Sequence, residues 1–492
     1  MKFGVLKHPL LYEINTRCWL AELSERAGRP LTLADVPDSE FDFWQRCGFT
    51  HIWLMGVWTL GARGRAWSEK CFRGREDEFR CADIAGSPYA IIGYNVSPRL
   101  GTNKALAKFR QKLNERGMKL ILDFLPNHTA LDHPWAKQRP EYYVTSQVQR
   151  AGTVKPYRAA AKWFAHGHSG HGAGWVDTLQ LDYRNPKLRA EMICQLLLRV
   201  NSKCDGVRCD MAMLQLNDVF ARNWREFPAP HPPPETEFWT EAIDAFRRCG
   251  IDSLFLGEVY WDLEARLQEL GFDFTYDKRL YDRIAARDAA GTAAWLHSLA
   301  PEFLSRSAHF IENHDEPRIA SLLSFEEHRA AALLILTLPG MRLLHEGQLS
   351  GARIHANVHF ARRGAEGTNE RIATFYRHLL STLPQTAVGR GEWKLLVAQP
   401  ARSGDSSHAN FVLVQWQTKS DAFDLAVVNL AASRSQCYVL LNIDGLAGAI
   451  WRLTDLLGDE VHDRLGAELS QRGLYLDLPP HGAQLFHCER IQ

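Results

Sequence analysis

Apolar residues fall along this chain in two rhythms. Eight short runs predict strands: LLYEI from Leu10, HIWLMGV from His51, KLILDFL from Lys119 and DGVRCDM from Asp205, then SLFLGEV from Ser253, FDFTYD from Phe272, HFIENHD from His309 and MRLLHEG from Met341. Between them lie stretches with helical spacing, such as KALAKFRQKLNERG (Lys104 to Gly117) and PKLRAEMICQLLLRV (Pro186 to Val200). The second opens with proline, a helix-start residue, and repeats Ile193, Leu196, Leu197 and Val200 on one face. Strand then helix, repeated about eight times, predicts an α/β fold, a (β/α)8 TIM barrel.

Two connections are too long for simple barrel turns. One runs from Trp58 to Tyr94; the other, from Thr129 to Asp182, contains HGHSGHGAGW. Loops of that length are functional or form a small insertion. After about Gly389 helical spacing stops, and FVLVQW, DLAVVNL, QCYVLLN, IWRLTDLL and LYLDLPPHGAQLFHC predict short strands between turns. The expected organisation is a barrel over 1–128 and 183–388, an inserted segment over 129–182 and a C-terminal all-β sandwich over 389–492.

Composition narrows the function classes. The 58 basic residues nearly balance 57 acidic ones, which gives no electrostatic reason to expect a nucleic acid or an anionic membrane as partner. No run approaches the roughly 18 apolar residues of a membrane span, and Glu13 and Arg17 interrupt any secretory h-region. The ten cysteines lie outside CxxC pairs, several inside apolar patterns, which predicts reduced thiols and a cytoplasmic protein. Cys71 and Cys81 flank a charged loop, where free thiols outweigh a disulfide or metal pair. The 15 tryptophans mostly predict a large core, and a flat platform for a ring-shaped ligand stays open.

The charges inside GVRCDMAML, from Gly206 to Leu214, need a reason, because burying ions is expensive. In such a barrel, active sites collect at the C-terminal strand ends. Asp123, Asn127, His128, Arg208, Asp210, Glu258, His314 and Asp315 all map there. Three carboxylates from different strands suit a glycosidase, which flanks the scissile bond with one ionised and one protonated group. Arg208 and Asp210 are two apart on a strand and point the same way, so the cation should keep Asp210 negative. Glu258, in LFLGEVYW, should keep its proton through desolvation and neighbouring anions.

DFLPNH (Asp123 to His128), GVRCD (Gly206 to Asp210), GEVY (Gly257 to Tyr260) and ENHDE (Glu312 to Glu316) resemble, in order and spacing, four signature segments of the α-amylase family of glycoside hydrolases. LQLDYRNP (Leu179 to Pro186) is similar to an additional segment of that family, and the likeness spans residues of about 10 to 350. The resemblance implies Asp210 as nucleophile, Glu258 as acid/base and Asp315 as the third carboxylate, which grips sugar hydroxyls. It implies that Arg208 holds the nucleophile, that His128 and His314 bind sugar hydroxyls, that Tyr94 stacks on the sugar ring and that Asp123 orients its neighbours. The implied reaction is a double displacement with retention, which calls for about 5–5.5 Å between the reacting carboxyl groups.

The sequence also departs from the family pattern. Leu214 stands where many members carry His or Lys, so the leaving-group subsite should differ from that of a typical endo-amylase. Asn127 matches a calcium ligand of many relatives, yet no carboxylate-rich partner set is visible, so no metal or other cofactor is expected to be required, with Ca²⁺ the open alternative. His166, His168 and His171 read as a glycine-rich loop at the site mouth rather than a zinc site. Trp58, Trp67, Trp175, Tyr260 and Trp261 are either sugar platforms or core, and Glu346 is a candidate for the cavity wall. The expected activity is hydrolysis of α-glucosidic bonds, α-1,4 foremost, in oligosaccharides or glucans. Transglycosylase, disaccharide phosphorylase, isomerase and inactive sugar-binding readings remain open, as does oligomeric state.

Overall fold

The computed structural model describes residues 7–75, 83–170, 174–419, 421–441 and 443–491. Cys81 and His171 lie outside the described residues. Eight parallel strands close into a barrel: β1 (Leu10–Asn15), β2 (His51–Met55), β3 (Lys119–Phe124), β4 (Gly206–Cys209), β5 (Leu254–Gly257), β6 (Phe274–Tyr276), β7 (Ser307–His309) and β8 (Met341–His345). Each pairs with its neighbours in the chain, and β8 closes on β1 from Leu10 opposite Arg342 to Glu13 opposite His345.

Period-two alternation sorts the strand residues. Tyr12, Ile14, Leu120, Leu122, Val207 and Leu344 face outward into the main core, under the helices. Leu11, Trp53, Ile121, Leu256, Phe274 and Leu343 fill the barrel interior. Two residues further along the same inward phase stand Glu13, Asp123, Arg208, Tyr276 and His345, all buried. The barrel is thus apolar below and ionic at its C-terminal end.

The seventh strand begins earlier than the apolar run predicts and stops at His309. Beyond it, side chains replace the ladder as partners of the backbone. Asn313 Oδ1 accepts from the N–H groups of Asp315 and Glu316, and Glu312 Oε2 accepts from that of Ile319. His314 and Asp315 therefore sit on a turn. The segment from Pro186 forms an α-helix to Cys194 and continues as a wider π-type turn over Gln195–Val200.

The insertion after β3 is tied back by an antiparallel pair, His128–Ala130 against Thr178–Gln180, and carries a small three-stranded sheet. The C-terminal region packs a six-stranded sheet, which includes β9 (Phe411–Lys419) and β10 (Ala422–Asn429), on a three-stranded one. The run FVLV is apolar throughout because β9 is covered on both faces. Phe411 and Leu413 face the sandwich core, while Val412, Val414 and Trp416 face the barrel's helices. A short helix, Gly466–Arg472, interrupts this otherwise β region. Among the described residues no helix is long and apolar enough to cross a membrane.

Candidate active site

Arg208, fully buried on β4, organises the ionic end of the barrel. Its Nη1 lies 2.8 Å from Asp210 Oδ1 and 3.6 Å from Asp123 Oδ1, and its Nη2 lies 2.6 Å from Glu258 Oε2. One planar guanidinium thus holds the carboxylates of two adjacent strand ends side by side. The rings of Trp53, Tyr89 and Tyr276 surround it at 5.2, 5.4 and 5.8 Å. Asp123 does not reach outward. Its Oδ2 accepts from the N–H of Gly56, and its carbonyl accepts from Trp58 Nε1, so both Asp123 and Trp58 belong to the scaffold beneath the site.

Burial sets the protonation of the pair. The Asp210 pKa rises to about 6: desolvation is the largest cause, Arg208 opposes it, and Asp123 adds to it. Glu258 rises further, to about 7, through desolvation, against Arg208 and with the help of Asp210 and Asp315. The order matches the sequence expectation of one ionised and one protonated group. Asp210 stays ionised near neutral pH but titrates above the usual carboxylate range, because the guanidinium offsets only part of the desolvation. Glu258 Oε2 also accepts from the N–H of Met211, and Oε1 accepts from the Tyr260 hydroxyl at 2.8 Å. Tyr260 therefore binds a reacting group rather than offering a bare platform.

His314 and Asp315 complete the constellation. Asp315 is the open member, with 46% of its side chain accessible, against 7% for Asp210 and 5% for Glu258. Burial would raise its pKa, but His314 outweighs that and holds it down at about 2. His314 Nε2 lies 3.1 Å from Asp315 Oδ2 and 2.6 Å from the Tyr89 hydroxyl, and Nδ1 lies 2.5 Å from Glu13 Oε1. His128 donates from Nε2 to the Tyr89 carbonyl at 3.1 Å, and burial lowers its pKa to about 4, so it is neutral.

Tyr94 is not the residue placed against these groups. Its hydroxyl donates to the Leu125 carbonyl and accepts from the Leu125 N–H, and its ring packs on Trp58 and Phe124. Those bonds turn it into the wall between β3 and the first long connection. Tyr89, five residues earlier, stacks on His314 at 5.6 Å instead. Glu346 is buried in an ion pair with Arg363. Leu214 is 2% exposed and packs in the core. Trp175 lies against His128 at 5.1 Å, and Trp67 against His359 at 5.9 Å. Trp261, 41% exposed, borders a cavity of about 780 Å³ between the insertion and the loops after β4 and β5, with His166, His168, Asp218, Arg222 and Asn223.

The residues around Asn127 do not make a calcium cage. Its Oδ1 accepts from Gln180 Nε2 at 3.1 Å and lies 3.4 Å from Gln215 Nε2, so amide donors occupy the acceptor a cation would need. His166 Nδ1 is bonded to the Thr178 carbonyl. Among the described residues no group of three His, Cys, Asp or Glu side chains is arranged to hold a metal.

The ordered set of strand-end motifs now has a matching geometry, and the family model described as the alpha amylase catalytic domain matches residues 39–373. The chain belongs to the alpha-amylase family. It is 23% identical over 368 residues to Alpha-amylase 3 of Dictyoglomus thermophilum, covering 70% of this chain and 64% of that protein. It is 26% identical over 335 residues to Maltase 1 of Drosophila virilis, covering 54% and 51%. The chain thus spans less than two thirds of the length of each of these relatives. Among solved alpha-amylase structures, the fold resembles a noncanonic maltogenic alpha-amylase from Thermotoga neapolitana, with a TM-score of 0.69, 19% identity and 98% and 99% of the two chains covered. It also resembles an alpha-amylase from Geobacillus thermoleovorans, with a TM-score of 0.65, 17% identity and 99% and 100% covered. As an alpha-amylase-family barrel, the chain presents its charged residues at the strand ends where such barrels carry chemistry.

Proposed function

We propose that this protein is a retaining glycosidase that hydrolyses α-glucosidic bonds, α-1,4 foremost, in oligosaccharides or glucans. The observation that carries the reading is the shared guanidinium. Two carboxyl groups from adjacent strand ends lie 2.8 and 2.6 Å from the two terminal nitrogens of one Arg208, a short bridge that favours the close spacing of a retaining pair. Asp210 attacks the anomeric carbon and forms a glycosyl ester, while Glu258 passes its proton to the departing oxygen. Glu258, now ionised, takes a proton from water, which cleaves the ester and restores both groups. Asp315 and the His314 cation grip the sugar's hydroxyls, and Tyr89 takes the stacking role. Trp261, three residues past Glu258 in sequence, borders the cavity between the insertion and the loops after β4 and β5, and we assign that cavity to the leaving group.

The protonation pattern predicts a narrow bell in kcat/KM. Below about 6 Asp210 is protonated and cannot attack; above about 7 Glu258 has lost the proton that the leaving group needs. The two limbs belong to the interacting pair rather than to either residue alone. Activity that keeps climbing to pH 9 would contradict this assignment of acid and nucleophile.

Product analysis tests the function itself. Maltooligosaccharides followed by NMR should release the α-anomer first, before mutarotation, and a β-anomer appearing first would overturn the mechanism. Because amides fill the place of a cation at Asn127, the same assay in EGTA should give unchanged rates. Free buried thiols at Cys18, Cys204, Cys209, Cys437 and Cys488 support a reducing, cytoplasmic setting.

A further inference from the structure

We propose that Glu13 is a positioning residue of the cleavage subsite, holding His314 as an imidazolium locked between Asp315 and Tyr89. The proposal rests on the reading above, in which Asp315 and His314 grip the sugar. Glu13 lies on β1 in the inward phase, with no accessible surface, and its ladder neighbours are Trp53 on β2 and His345 on β8.

The argument is one of donors and acceptors. His314 presents Nδ1 to Glu13 Oε1 and Nε2 to Asp315 Oδ2, and an ionised carboxylate only accepts. A neutral imidazole has a single N–H and leaves one ring nitrogen facing an anion lone pair to lone pair. Only the doubly protonated ring donates to both. Its pKa agrees: burial pulls it down, but Asp315 and Glu13 together carry it well above the ordinary value.

The other groups around the ring do not replace Glu13. Tyr89 stacks on one face and bonds Nε2, and Trp53 meets the ring edge-on at 5.5 Å. His345 has its Nδ1 turned to Glu312 and Arg318, and His355 donates to the His314 carbonyl rather than to its ring. Arg208 packs 5.2 and 5.4 Å from the Trp53 and Tyr89 rings and lies 3.6 Å from Asp123, so its charge and that of Asp123 partly offset each other beside the site. Among the described residues Glu13 is the carboxylate on the Nδ1 side. Without its charge the ring loses its proton more easily, and a bare Nε2 then repels Asp315, which drifts from the sugar it must hold.

The substitution E13Q keeps the shape and removes the charge. Imidazole ¹⁵N shifts in histidine-labelled protein, with the His314 signal assigned by its loss in H314Q, report the ring directly and need no substrate. Wild-type His314 should remain an imidazolium past pH 8, and in E13Q its pKa should fall by roughly 1–3 pH units. Because the alkaline limb near pH 7 belongs to Glu258, E13Q should add a second alkaline ionisation to kcat/KM, that of His314 at lower pH than in the wild type, whereas a structural fault would scale the profile without adding one. A neutral His314 in the wild type at pH 7, or an unchanged titration in E13Q, overturns the proposal, and the wild-type titration decides it even if E13Q does not fold. Absence of glycosidase activity with the expected titration would reject the functional reading and leave the Glu13–His314 pair standing.

Discussion

Replacing Asp210 with glycine is expected to lower turnover of maltooligosaccharides by about 10⁴-fold or more, because the group that forms the covalent bond is gone and water at that position is a poor, unactivated substitute. The fold should tolerate the change. Asp210 sits among like charges from Asp123 and Asp315, and Arg208 keeps its 2.6 Å bond to Glu258 when Asp210 is removed. The missing carboxylate leaves a space beside the anomeric carbon, and azide can enter it. With α-glucosyl fluoride, whose leaving group needs no acid, azide should attack from the face Asp210 occupied and give the β-glucosyl azide. An Asp210→Gly protein that kept turnover within tenfold of wild type, or that gave only the α-azide, would remove Asp210 from the nucleophile's role.

The parts of the site legible in the sequence are those fixed by strand periodicity. Asp123 and Arg208 stand two residues past Ile121 and Gly206, so the alternation that puts leucines in the barrel also aims these charges into its end. The same rule applied to LLYEIN aims Glu13 inward two residues after Leu11. In the sequence that signal is masked, because Glu13 stands out mainly as a break in an apolar N-terminal run. Tyr89 against Tyr94 was not legible. Tyr94 lies within the strand Ile91–Val96 and Tyr89 two residues before it, and the pairing of that strand with Trp58–Leu60 slips register twice, so the facing side is settled only in the folded pair. The state of Asn127 was equally hidden, since its amide partners come from 53 and 88 residues away. The charge of Asp210 shows a third limit. A neighbouring arginine gives the sign of one effect, while the depth of burial that outweighs it is a property of the closed barrel.

Replacing Glu258 with glutamine should separate the two half-reactions. Oxygens of poor leaving groups need its proton, so maltooligosaccharide turnover should fall by about 10²–10⁴-fold. With α-glucosyl fluoride the first half-reaction needs no acid, and Asp210 still attacks. The second half then stalls, because no base activates water, and the glucosyl ester on Asp210 should accumulate to a level that mass spectrometry of the quenched protein detects as one added hexosyl unit. Azide needs no base, and it should release that ester from the opposite face as the α-glucosyl azide. The alkaline limb near pH 7 should vanish as well, since the group that titrates there has been removed. The two variants thus make opposite anomers from one reagent, because azide displaces fluoride in one inversion without Asp210 but follows the Asp210 ester in two when Asp210 is present. If both variants gave the same azide, or if Glu258→Gln kept the alkaline limb, the division of labour between the carboxylates would be wrong even with their positions in the barrel correct.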